Sequence, residues 1–155
     1  MIALNPFLHQ KQYCKECGLE KLRGSSHHAW RKDRDELRRI ALFRKRIYKA
    51  LSSSLKAVGK DKIGRTSDIL GYGPKELQEH VARHPNWPRV KDKQWHLDHI
   101  FPIQAFVDNG IDDVSLINCL KNLQPITQQE NNRKKDKYNQ ADFQKWLKGH
   151  SYELP

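Results

Sequence analysis

Apolar positions in the first half of the chain recur with a helical period. Between residues 33 and 59 they are spaced by three, four, six or seven, which is typical of one face of a helix. These positions are Leu37, Ile40, Ala41, Ile47, Leu51, Leu55 and Val58. The pattern predicts a long helix that ends near Gly59. A short helical turn is predicted within residues 64–73, and Pro74 is expected to open the next helix.

The pattern changes after residue 94. Residues 95–100, with the sequence Trp-His-Leu-Asp-His-Ile, alternate in the manner of a short strand that Pro102 closes. Residues 123–126 predict a second short strand, which Pro125 confines to an edge or an end. Two short helices are predicted between these strands, one that begins at Ile103 and ends at Gly110, and one that starts after Asp112 or Asp113.

A final helix is predicted to begin at Thr127. Thr127 and Glu130 have the spacing of a capping box, in which each side chain bonds the backbone N–H of the other residue. Asn131 then falls in the first turn of this helix. Lys134, Lys135 and Tyr138 follow three, four and seven residues later and are expected on the same face.

These elements predict an α+β fold with two short antiparallel strands and a helix, preceded by a mainly helical extension. We divide the chain into an amino-terminal polar segment (1–31), a basic helical region (32–92) and a core with a carboxy-terminal helix (93–155). No internal repeat or low-complexity tract is present.

Charge indicates the partner. Twenty-nine Lys and Arg against eighteen Asp and Glu give a formal net charge of +11, as expected of a protein that binds a polyanion. The long helix has many cations outside its apolar face, and Arg44 and Arg46 are predicted to contact phosphate. A solvated surface without a polyanion is the alternative for this face. Nucleic acid is the first partner to consider, and the sequence names no protein partner.

The chain has no apolar run that approaches the length of a membrane span, and we expect no membrane association. It begins without the basic and apolar regions of a signal peptide, so a cytoplasmic location is expected. Three cysteines without a secretion signal argue against a disulfide framework.

Hard oxygen ligands and a histidine come close together if the strands pair and the helix packs across them. Asp98 and Asn131 would then offer a carboxylate and an amide oxygen to Mg²⁺ or a similar ion. His99 has an unperturbed pKa of about 6.5, which suits a general base at neutral pH. On a regular strand Asp98 and His99 face opposite sides, so both serve one site only where the strand bends or twists.

Three short stretches together carry a resemblance. Asp98-His99-Ile100-Phe101-Pro102, Asn122-Leu123-Gln124-Pro125 and Asn131-Asn132-Arg133-Lys134 resemble the motif of HNH endonucleases with the ββα-metal fold, and the lead-in from residue 69 resembles HNH proteins of phages and mobile elements. His99, Asn122 and Asn131 take the three motif positions. Asn132 competes with Asn131 for the last one.

The resemblance implies an enzyme that hydrolyses phosphodiester bonds in DNA, most simply in the duplex. It implies His99 as general base and one divalent ion, Mg²⁺ or Mn²⁺, on Asp98 and Asn131. We expect Asn122 to bond the loop backbone near His99 and so to hold the orientation of the imidazole, and Lys134 and Lys135 to meet phosphate. His96 is either an auxiliary ligand or a packed structural residue.

Cys14 and Cys17 have the spacing and the following glycine of a zinc knuckle. His27 and His28 are the nearest candidates for the other two ligands. A structural Zn²⁺ and free thiols both remain open.

Two other functions remain open beside the nuclease. One is a binding module for DNA or RNA that is not catalytic, and the other is a ribonuclease toxin of the same fold. An intact set of Asp98, His99 and Asn131 favours the enzyme, because a carboxylate that faces phosphate does not help a binding module.

Overall fold

The computed structural model describes residues 33–150. Contacts divide the chain into two compact units, Met1–Arg38 and Arg39–Pro155. Of the first unit the structure describes only residues 33–38, where the first helix begins. The helices are α1 (Arg34–Ala57), α2 (Thr66–Leu70), α3 (Pro74–Arg83), α4 (Trp87–Val90), α5 (Ile103–Asp108), α6 (Val114–Ile117), α7 (Gln128–Lys134) and α8 (Gln140–Lys148), and the strands are β1 (Trp95–His99) and β2 (Leu123–Thr127).

The two strands form an antiparallel sheet, which confirms the predicted α+β class. Trp95 pairs with Thr127 and His99 pairs with Leu123. Pro125 lies opposite Leu97, a position that a two-stranded sheet tolerates because each strand has an open edge. A loop that contains α5 and α6 joins the strands, and α7 follows β2 and contacts both strands.

The start of α7 agrees with the sequence. Thr127 is the N-cap, its hydroxyl accepts from the Glu130 N–H at 3.2 Å, and the Glu130 carboxylate accepts from the Thr127 N–H at 2.8 Å. Because this reciprocal pair fixes the first turn, it also fixes the direction in which the Asn131 side chain points from the helix.

The end of this helix differs from the sequence prediction. We expected Lys134, Lys135 and Tyr138 on one helical face, but α7 ends at Lys134 and Lys135 has a positive φ of 48°. None of the residues of α7 is buried, so no apolar packing holds a longer helix against the sheet. Tyr138 instead donates to the Asp108 carboxylate at 3.2 Å.

Two apolar clusters hold the second unit together. One joins α1 to α3 and β2, with Leu51, Leu77 and Leu123 almost fully buried. The other joins α5 to α8 through Phe106 and Phe143. The sheet therefore rests on α1 and α3, while the connecting loop rests on α8.

Within residues 33–150, no helix is both long enough and apolar enough to cross a membrane.

Candidate active site

An open cleft of about 470 Å³ lies where β1 faces α1 and α7. It brings together three residues that the sequence singled out, Asp98, His99 and Asn131. The other residues that line it are Arg46, Lys49, Ala50, Ser53, Gln94, Trp95, His96, Leu97 and Ile103. Asp98 and His99 both border the cleft although they are neighbours at the end of a strand.

Two donors share one oxygen of the Asp98 carboxylate. Oδ2 accepts from Lys134 Nζ at 2.7 Å and from Gln124 Nε2 at 3.2 Å. The side chains of Asp98 and Lys134 are only 14% and 22% exposed. Lys134 also donates to the backbone carbonyl of His99. Among the described residues, none donates a hydrogen bond to Asp98 Oδ1, so one oxygen of the carboxylate remains available.

A buried asparagine that sequence reasoning missed orients the His99 ring. His99 Nε2 lies 3.1 Å from Asn118 Oδ1. The Asn118 amide nitrogen donates to the Val114 carbonyl at 2.8 Å and to Ser54 Oγ at 2.9 Å. Because the Val114 carbonyl can only accept, the amide nitrogen must point there and Oδ1 must accept from His99. The neutral imidazole therefore carries its proton on Nε2 and keeps the lone pair on Nδ1.

Burial lowers the pKa of His99 below its ordinary value of 6.5. The hydrogen bond to Asn118 and the charge of Asp98 oppose this shift, whereas the charge of Lys134 adds to it. Burial dominates because it disfavours the charged imidazolium. The ring is thus held in the neutral form that a base requires.

Asn122 makes the predicted bonds to the loop beyond His99. Its Oδ1 accepts from the Phe101 N–H at 2.8 Å, and its Nδ2 donates to the carbonyls of Phe101 at 3.2 Å and Ile117 at 2.8 Å. The side chain is fully buried. It fixes the backbone that follows His99, whereas the ring itself is held by Asn118.

We expect Asn122→Ala to lower the free energy of unfolding by roughly 2–4 kcal/mol. The change leaves the backbone groups of Phe101 and Ile117 without their partner, and each unpaired buried group costs about 1–3 kcal/mol. Urea denaturation measures the loss. Asn132→Ala is the matched control, because Asn132 is exposed; equal stability of the two variants would contradict the assigned role of Asn122.

The structure distinguishes Asn131 from Asn132. Asn131 borders the cleft, and its Nδ2 lies 3.2 Å from His96 Nδ1. With the nitrogen directed to His96, the amide oxygen is the atom left to face another ligand. Asn132 is exposed and does not border the cleft. His96 is partly buried beside Asn131 and orients its amide through this contact.

The four predicted phosphate contacts are not brought together. Arg46 lines the cleft, where its guanidinium lies 3.5 Å from the centre of the Trp95 ring. Lys134 is paired with Asp98, and Lys135 is exposed beyond the end of α7. Arg44 lines a separate groove on another face of α1. Lys49, another cation of the basic face predicted for this helix, joins Arg46 in the cleft.

Cys14, Cys17, His27 and His28, the candidates for zinc, lie outside the described residues. Within residues 33–150 no group of three or more His, Cys, Asp or Glu side chains is placed to hold a metal ion.

The cleft offers a donor set that fits a hard, largely hydrated ion. Mg²⁺ is commonly bound by one or two carboxylates, with water and substrate phosphate completing its shell. Asp98 Oδ1 is such a carboxylate oxygen, the amide oxygen of Asn131 is a second hard oxygen, and both residues line the cleft. Lys134 occupies Oδ2 of Asp98, so an ion has to share this carboxylate with an ammonium group.

Comparisons with protein-family models, with curated proteins and with solved structures found no match.

Proposed function

We propose that this protein is a metal-dependent endonuclease of the HNH type, with the ββα-metal fold, that hydrolyses phosphodiester bonds in DNA. The observation that supports it most is the single cleft bordered by Asp98, His99 and Asn131. The order of strand, strand and helix agrees with the motif that the sequence resembles. Arg46 and Lys49 give the cleft a positive wall that suits a phosphate backbone.

His99 is the general base in this proposal. Its Nδ1 takes a proton from a water molecule while that water forms a bond to phosphorus, and the bond from phosphorus to the leaving oxygen breaks. Asn118 keeps the opposite nitrogen protonated and the ring in place. Because burial already favours neutral imidazole, no proton has to leave His99 before it acts.

Asp98 and Asn131 would hold one divalent ion, Mg²⁺ or Mn²⁺. When bound, the ion supplies Lewis-acid stabilisation to the charge that develops on phosphate and on the leaving oxygen. Lys134 fixes the Asp98 carboxylate through its other oxygen, and His96 fixes the Asn131 amide. Arg46 and Lys49 neutralise the charge of neighbouring phosphates.

One observation favours a second candidate, a nucleic-acid-binding module without catalysis. The ion pair between Lys134 and Asp98 is mostly buried, and an ammonium group can replace a metal ion as the partner of a carboxylate. In that case Asp98 stabilises the fold and needs no metal.

The test is cleavage by the purified full chain. We expect product from plasmid DNA with Mg²⁺ or Mn²⁺ and none with EDTA. Single-stranded DNA and RNA of matched length are tested in parallel, and preferential cleavage of RNA would instead support the ribonuclease toxin. Absence of cleavage from all three substrates with either metal, together with retained binding, would support the binding module.

A further inference from the structure

A second basic groove, of about 630 Å³, lies on a different face of α1 from the cleft. Ala41, Arg44, Lys45 and Tyr48 line it, and their spacing of three, four and seven places them on one helical face. Arg46 and Lys49, which line the cleft, lie on another face. The opposite side of the groove is formed by the start of α2 and by the segment from Tyr72 to Pro74.

The groove combines an aromatic wall with a cationic rim. Tyr48 is 55% exposed, so much of its ring is open to a ligand. The Tyr72 ring is almost fully buried in the floor, and its hydroxyl is directed inward to the Asn118 carbonyl at 2.7 Å. Each of these rings therefore contributes apolar surface to the groove.

The charges at the rim have one sign. Arg44, Lys45 and Arg65 line the groove and are exposed, and none of the described residues that line it is acidic. Asp68 lies just outside, where its carboxylate accepts from Ser67 Oγ at 3.2 Å. Among the described residues, no salt bridge uses Arg44, Lys45 or Arg65, so all three cations are available to an anionic ligand.

We propose that this groove binds unpaired nucleotides of a single-stranded nucleic acid, with a base on Tyr48 and the neighbouring phosphates on Arg44, Lys45 and Arg65. Proteins that bind single strands combine aromatic platforms with a basic track in this way. Duplex DNA does not supply the same ligand, because its bases are stacked on each other and their faces are covered. The volume is within the range of ligand sites, about 300–1,000 Å³.

The proposed binding of single strands goes beyond the proposed endonuclease function, and it is tested by a binding measurement that needs no cleavage. Binding of a fluorescein-labelled oligothymidylate of about 15 nucleotides is measured by anisotropy in EDTA with the full chain. We expect Tyr48→Ala to weaken binding about tenfold and Tyr48→Phe to change it less than about twofold, since stacking needs the ring and not the hydroxyl. Binding of a duplex of equal length should be unchanged in Tyr48→Ala.

Leu42→Ala is the matched control, because Leu42 is a large side chain on α1 that is 56% exposed and does not line the groove. Thermal melting checks that every variant is folded.

Three results would overturn the proposal: no binding of the single strand by the wild type, binding by Tyr48→Ala equal to that of the wild type, or an equal loss of binding for single strand and duplex. Photocrosslinking of 5-iodouracil to Tyr48 would support it directly, and a crosslink confined to the cleft would contradict it. If the protein binds the single strand in this groove but never cleaves DNA, that result contradicts the proposed endonuclease function and leaves the proposal for the groove intact.

Discussion

His99→Ala is expected to lower the rate of DNA cleavage by about 10²–10⁴-fold, the range that general bases contribute. The variant loses the Nδ1 lone pair that accepts the proton. Among the described residues, no other histidine has one ring nitrogen bonded to the side chain of a fully buried asparagine, so none is oriented to replace it. Binding should remain close to that of the wild type, because Arg46 and Lys49 still line the cleft. Single-turnover cleavage and anisotropy measure the two effects separately.

His84→Ala is the matched control for this variant. His84 is partly exposed and lines a groove apart from the cleft. It should cleave at the rate of the wild type. If His99→Ala is folded and also cleaves at that rate, His99 is not the base and the proposed mechanism is wrong.

Asp98→Ala is expected to lower cleavage by about 10³-fold, since the several kcal/mol that a metal ion contributes depend on its carboxylate ligand. The variant also leaves the Lys134 ammonium without its carboxylate in a mostly buried site, with only the His99 carbonyl to accept from it, so some loss of stability should accompany the loss of rate. Asp98→Asn separates these effects, because it keeps the size and one acceptor oxygen but removes the charge. Rates are measured over a range of Mn²⁺ concentrations.

Asp108→Asn serves as the control, because Asp108 bonds Tyr138 and does not border the cleft. A folded Asp98→Asn that cleaves as fast as the wild type at low Mn²⁺ would contradict a metal on Asp98. Reduced stability of Asp98→Asn in a protein that never cleaves would instead favour the binding module.

The elements around the site could be predicted because their signals are local. The alternation before Pro102 predicted β1, and the capping box predicted Thr127 as the N-cap from which α7 starts. The side-chain bonds of Asn122 to the loop were also expected. The strand and the helix start depend on neighbours in sequence, so a single chain is enough to find them. The bonds of Asn122 join it to Phe101, 21 residues away, and were expected only from the resemblance.

The contacts that orient the site could not be predicted, because they join distant segments. Asn118 holds His99 and is itself held by Ser54, which is 64 residues away in α1. Its one sequence signal is an amide within the apolar run Ile117-Asn118-Cys119-Leu120. The sequence could not assign Arg44 and Arg46 to different grooves. The helical period gives the angle between the two side chains, but not which segments pack beside each face of the helix.

The most direct measurement is the metal requirement of cleavage by one preparation of the full chain. Protein freed of metal with EDTA is mixed with plasmid, and excess Mg²⁺ is then added to the wild type and to His99→Ala. The proposed function predicts no product before the addition, rapid product from the wild type after it, and little from His99→Ala. Product that forms without metal, or equally in both proteins, would contradict it.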